Sequence, residues 1–96
     1  MAASPPTSRL PIVLCVDDDP TVLEAQRSGL RELLQGRAVL EQCASALEAE
    51  DLVREASEDG LQVAVVVSDE IMPDRRGHQL LSGIVRVFPE VRAVML

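Results

Sequence analysis

Two nearly uninterrupted apolar runs, Ile12–Val16 and Val63–Ser68, each give way abruptly to carboxylates: Asp17, Asp18 and Asp19 follow the first, and Asp69 follows the second. A strand with one wet face alternates apolar and polar residues, so an unbroken run suits a strand buried on both faces, as at the centre of a parallel sheet. Two such strands side by side bring their terminal carboxylates to one sheet edge. At ~4 Å and an effective dielectric of roughly 20, each close carboxylate pair costs on the order of 4 kcal/mol. A hard divalent cation, magnesium above all, removes that repulsion through oxygen ligands, beside an aspartate able to accept a phosphoryl group.

The chain of 96 residues holds one small domain and its single core. Hydrophobic residues make up 47% of it, yet Phe88 is the only aromatic, so Val, Leu, Ile, Ala and Met must fill the interior. A net charge of −7 argues against nucleic acid or an anionic membrane as the partner of this segment. No apolar stretch reaches the ~20 residues needed to span a bilayer. All nine basic residues are arginine. Cys15 and Cys43 sit in apolar, strand-like surroundings with nothing resembling a signal peptide ahead of them. The expectation is two buried thiols in a reduced, cytoplasmic setting.

Residues 1–11 carry three prolines and no periodicity, and are expected to form a flexible leader to a domain over residues 12–96. After the first strand, Asp19 offers an N-cap and Pro20 suits a first turn. A helix over residues 20–35 follows, with Leu23, Leu30 and Leu34 on one face and Gly36 as its stop. Residues 38–43 suit a strand near the sheet edge. Ser45 and Glu48 form a capping box for a helix that ends before Gly60 and buries Ala49, Leu52, Val53 and Ala56. Leu81, Ile84, Val85 and Phe88 repeat the helical spacing before Pro89, and residues 91–96 begin another strand.

The order β-α-β-α-β-α-β calls for an open parallel sheet with right-handed crossovers and helices on both faces. Ligands in such sheets bind beyond the carboxyl ends of the strands where strand order reverses. For order 2-1-3-4 that point lies between the first and third strands, which end at Asp17-Asp18 and at Asp69.

With these elements in place, residues 10–96 resemble a response-regulator receiver domain of two-component signalling. Val16-Asp17-Asp18-Asp19-Pro20 is similar to the family's acidic pair and its Pro. Ser68-Asp69-Glu70-Ile71-Met72-Pro73 is similar to its phosphoacceptor with the downstream Met-Pro, and Gly77 stands at family spacing. The resemblance implies a flavodoxin-like three-layer α/β/α sandwich and a signalling phosphoacceptor rather than an enzyme. Asp69 would take the phosphoryl group from a sensor histidine kinase or phosphotransfer protein, and an output domain or downstream protein would read the result. Mg2+ would be held by Asp18 directly, Asp17 largely through water, Asp69, and the backbone carbonyl of Ile71. Met72, Pro73 and Gly77 would shape the loop, Gly77 through a conformation or close approach that a side chain prevents.

Glu70, Asp74, Arg75 and Arg76 read as solvated surface, with Arg75 and Arg76 placed to influence partner choice, and His78 reads as surface or packing. Receivers continue past the fourth strand with a Ser or Thr, a fifth strand ending in Lys, and a final helix. The sequence ends at Leu96 and holds no lysine. The expectation is therefore a receiver incomplete at its C-terminus, either shortened or part of a longer chain, with a homodimer through the exposed fourth-strand side. Two alternatives stand beside it. A degenerate receiver would act as a phosphorylation-independent interaction module. A haloacid-dehalogenase-type phosphatase would use Asp17 as nucleophile and Asp19 as acid/base in the Asp17-to-Thr21 segment, which leaves Asp69 unexplained.

Overall fold

The computed structural model of the chain describes residues 10–96; residues 1–9, and with them most of the expected leader, lie outside the described part. Seven elements follow in order: β1 (Ile12–Val16), α1 (Pro20–Leu34), β2 (Val39–Cys43), α2 (Ala46–Glu58), β3 (Val63–Ser68), α3 (Gly77–Val87) and β4 (Arg92–Met95). The strands form one parallel sheet in the order β2-β1-β3-β4. The chain steps outward from β1 to β2, then crosses back to β3 and on to β4. Right-handed crossovers therefore place α1 on one face of the sheet and α2 with α3 on the other. This is the flavodoxin-like arrangement.

The helix boundaries follow local chemistry. Asp19 caps α1 by accepting the Thr21 N–H at 2.9 Å, with Pro20 in the first turn. Ser45 caps α2, its Oγ accepting the Glu48 N–H at 3.2 Å. Gly36 and Gly60, at φ +75° and +74°, supply the left-handed residues just past α1 and α2.

The two faces of the sheet are packed unequally. Ile12, Leu14, Val16, Val63 and Val66 form a closed core with Ala46, Ala49, Val53 and Ala56 of α2 and Leu80, Leu81 and Ile84 of α3. On the other face, α1 has no fully buried residue, and Leu23, Leu30 and Leu34 are only half-buried. Along α3 the buried stripe runs Gly77, Leu80, Leu81 and Ile84, one turn earlier than the 81-84-85-88 spacing predicts. Val85 and Phe88 are half-buried, and Phe88 already lies past the helix end. The shift arises because the helix is set down at Gly77, against β3.

The pairing of β1 with β3 contains an irregularity. Ile12 stands opposite Val63, but Val13 stands opposite Val65, so Ala64 is an extra residue on β3. From there the ladder is regular, ending with Val16 opposite Ser68. Without the extra residue Asp17 would face Ser68. With it, Asp17 and Asp69 are the next residues on their strands at the same level. A one-residue slip turns every side chain to the opposite face, so this one position decides whether the carboxylates meet.

Candidate functional site: a carboxylate cluster at the sheet's carboxyl edge

The Asp17 N–H donates to the Cys43 carbonyl and the Asp69 N–H to the Val16 carbonyl, both at 3.1 Å, extending the ladder by one bond on either side of β1. These bonds hold the backbone rigid at the points where the carboxylates emerge. Asp17, Asp18 and Asp69 each bring a carboxylate oxygen within 4.8 Å of the other two. Asp17 is buried, Asp69 half-buried and Asp18 exposed, so the cluster opens to solvent on one side only. Asp17 Oδ1 accepts the Asp19 N–H at 2.9 Å, and Asp69 Oδ1 accepts the Glu70 N–H at 2.9 Å. The three negative charges repel one another, least where solvent screens the exposed Asp18. An all-oxygen, anionic donor set with one open side fits a hard divalent cation that keeps several waters.

Asp19 is not part of the cluster. Its side chain is engaged in capping α1, where it accepts the Thr21 N–H.

The loop after Asp69 is held at many points. Met72 is buried in the core, and the Ser68 hydroxyl lies 3.9 Å from its Sδ while donating to the Asp69 carbonyl at 2.9 Å. Ile71 is 66% exposed. Pro73 is exposed. Gly77 is the tightest contact: a Cβ there would lie 2.2 Å from the Asp69 carbonyl oxygen. Its φ is not positive. Of the two reasons for a glycine raised by the sequence, close approach is therefore the one the structure displays.

The charged residues that read as solvated surface are largely partnered. Glu70 accepts the His78 N–H at 2.9 Å and meets His78 Nδ1 at 2.7 Å, and these bonds hold its carboxyl below the ordinary range. Asp74 accepts the Leu47 and Ala46 N–H groups, at 2.9 and 3.1 Å, which lowers its carboxyl in the same way. Arg75 pairs with Glu50 of α2. No local signal could have shown the Asp74 and Arg75 contacts, because their partners lie 25 to 28 residues away.

Both cysteines are free and buried. Burial foremost, then the charge of Glu48, pushes the Cys43 thiol up to about 12, and burial raises Cys15 as well. A surface groove of about 720 Å³ between α1 and β2 is lined by Arg27, Arg31, Leu34, Leu40 and Gln42 among others and holds none of the clustered carboxylates. It brings no nucleophile or metal-ligand set together. Among the described residues no helix is long and apolar enough to cross a membrane.

No curated protein matches the chain significantly. Solved structures do. The signal receiver domain of an HD domain-containing protein from Pseudomonas fluorescens Pf-5 superposes with a TM-score of 0.77 at 23% identity, over 99% of this chain and 63% of that one. A two-component response regulator of the LuxR family from Aurantimonas sp. SI85-9A1 gives 0.64 at 28% identity, over 90% of this chain and 57% of that one. The non-phosphorylated receiver domain of the stress response regulator RcsB from Escherichia coli gives 0.67 at 27% identity, over 91% and 64%. The chain thus spans less than two thirds of the length of each of these three. The family profile described as response regulator receiver domain matches residues 13–96. That match takes in all seven elements and all three clustered aspartates, and with it the chain belongs to the response regulator receiver domain family.

Proposed function

We propose that this receiver is a phosphoacceptor, with Asp69 as the residue modified. The observation that carries the reading is the convergence of Asp17, Asp18 and Asp69 at the switch point between β1 and β3. A carboxylate oxygen of Asp69 attacks phosphorus, the bond from phosphorus to the donor's leaving atom breaks, and an aspartyl phosphate forms. The donor is a sensor histidine kinase or phosphotransfer protein, in keeping with the two-component description of the Aurantimonas relative. Asp18 would hold Mg2+ directly and Asp17 largely through water, with Asp69 and the Ile71 carbonyl completing the protein's share, and a cation held there would supply neutralising charge for phosphoryl transfer. Asp17, kept in place by the Asp19 N–H, sets the depth of the site, while Met72, Pro73 and Gly77 shape the loop that carries Ile71.

The function is signalling in the cytoplasm, through an output domain or downstream protein, rather than turnover of a small substrate. Added charge at Asp69 biases a two-state arrangement of the surrounding loops. A homodimer through the β4 side is part of the same proposal: Val94, Met95 and Leu96 are 42, 40 and 66% exposed on the outer strand and just past its end. A sedimentation mass that stays monomeric at every concentration would reject the dimer.

The deciding experiment is intact-mass analysis after incubation with Mg2+ and a small acyl-phosphate donor. One phosphoryl adduct, prevented by EDTA and absent from Asp69→Asn, is the expected result. An adduct that survives Asp69→Asn would move the chemistry to Asp17. A folded chain that takes no adduct from either the small donor or a histidine kinase would leave a phosphorylation-independent binding module.

A further inference from the structure

The loop between β3 and α3 carries two carboxylates, and each caps a different helix. Glu70 receives the His78 N–H at the start of α3. Asp74 reaches 27 and 28 residues back along the chain to take both the Leu47 and Ala46 N–H groups at the start of α2. The first N–H groups of a helix have no partner within it, and a carboxylate there meets both the donors and the positive end of the helix dipole. Ser45 already serves the Glu48 N–H. Helix α2 is therefore capped twice, once locally and once from the loop that follows Asp69.

Two further ties make this connection stiff. Arg75, next in sequence, pairs with Glu50 one turn into α2. Met72, two residues before Asp74, is sunk in the core against Ser68. With Pro73 between those anchors, the segment that carries Ile71 is bounded by Asp69 on β3 at one end and by α2 at the other. Ile71 stands three residues before Asp74, and the Asp74 bonds to α2 are one of the ties on the loop that carries it. The lowered Asp74 carboxyl reflects the same two N–H donors.

We infer that Asp74 is a positioning residue that couples the carboxylate site to the first turn of α2, fixing the Ile71 carbonyl for metal binding and transmitting site occupancy to the Ala46 and Leu47 amides. The inference rests on the metal-site reading proposed above. Coupling of this kind is reciprocal: if α2 holds the loop in its metal-binding arrangement, the bound metal must steady the first turn of α2. Ser45→Ala provides the contrast. It removes a cap from the same helix but leaves both Asp74 bonds in place, so it lowers stability while weakening metal affinity less than Asp74→Ala does.

The test measures Mg2+ affinity by titration calorimetry and amide hydrogen exchange at Ala46 and Leu47, with and without Mg2+, on the chain and on Asp74→Ala, Asp74→Asn, Ser45→Ala and Asp69→Asn. Mg2+ is expected to slow exchange at both amides in the unmodified protein by roughly 5-fold, and Asp74→Ala to abolish that response and weaken Mg2+ binding by a similar factor. Asp74→Asn keeps one acceptor and should fall between, which preserves the test if the alanine variant does not fold. Mg2+ binding and amide protection in Asp74→Ala equal to those of the unmodified protein, while Asp69→Asn weakens binding, would overturn the role of Asp74 alone. Absence of Mg2+ binding in the unmodified protein would overturn the metal site and this inference together.

Discussion

Replacing Gly77 by alanine adds one methyl group at the point where α3 is pressed against the end of β3. The new Cβ would stand 2.2 Å from the Asp69 carbonyl oxygen, 2.9 Å from its carbon and 3.0 Å from Glu70 Cα. Even attractive carbon–oxygen contacts settle at roughly 3.3 Å, so the overlap is about 1 Å. All three neighbours are backbone atoms, and no rotamer change relieves them. The start of α3 must retreat by about that overlap. Two bonds of 2.9 Å, from the Gly77 N–H to the Glu70 carbonyl and from the His78 N–H to Glu70 Oε1, would then open beyond hydrogen-bonding range.

Overpacking of this kind costs about 1–3 kcal/mol, and each lost bond about 0.5–1.5 kcal/mol. Alanine returns at most about 1 kcal/mol through its higher helix propensity. The net is a loss of about 3 kcal/mol, or roughly 12–24 °C in Tm for a domain of this size. Thermal melts followed by circular dichroism, in EDTA at constant pH, measure it. Gly29→Ala is the matched control: residue 29 is inside α1 with no atom within 4 Å of its added Cβ. That change should stabilise by about 0.5–1 kcal/mol. If Gly77→Ala melted at or above the parent, as Gly29→Ala should, the close-approach argument would be refuted.

Other consequences follow from the same geometry. Asp69→Asn removes two of the three repulsive pairs in the cluster and should raise Tm in EDTA by about 1 kcal/mol equivalent, after solvent screening of the partly exposed groups. Added Mg2+ should stabilise the parent more than the variant; the opposite order in paired melts would count against a shared metal site. Asp74, whose carboxyl is lowered from 3.8 by the Leu47 and Ala46 N–H groups, contributes stability that is present above that value and lost as pH falls through its lower folded value. Asp74→Asn should therefore flatten the acid limb of a stability-versus-pH curve, and an unchanged limb would contradict the capping role. Cys15 and Cys43, buried and with raised thiols, should resist iodoacetamide at pH 8 while the protein is folded and both react in denaturant. Rapid labelling of the native chain would show that the sheet opens on that timescale.

Much of the architecture is local information. The unbroken runs over Ile12–Val16 and Val63–Ser68 can be satisfied only by strands covered on both sides, and Asp19 and Ser45 announce helix starts through side chains that bond the next few N–H groups. The stripe of α3 was misplaced by one turn because periodicity alone does not say where a helix is anchored; the contact of Gly77 with Asp69 does. The partial exposure of α1 was equally hidden, since Leu23, Leu30 and Leu34 mark an apolar face without stating how much lies over it.

By itself, then, the sequence determined the element order, the parallel sheet and the presence of acidic residues at the ends of two central strands, because hydrogen-bonding and burial patterns repeat over a few residues. The tertiary structure decided whether those acids meet. The extra residue at Ala64 brings Asp69 level with Asp17, and Asp74, while still exposed, caps a helix 27 to 28 residues earlier. Such contacts join groups far apart in the chain, so their energies appear only once the backbone has brought them within hydrogen-bond or Coulomb range.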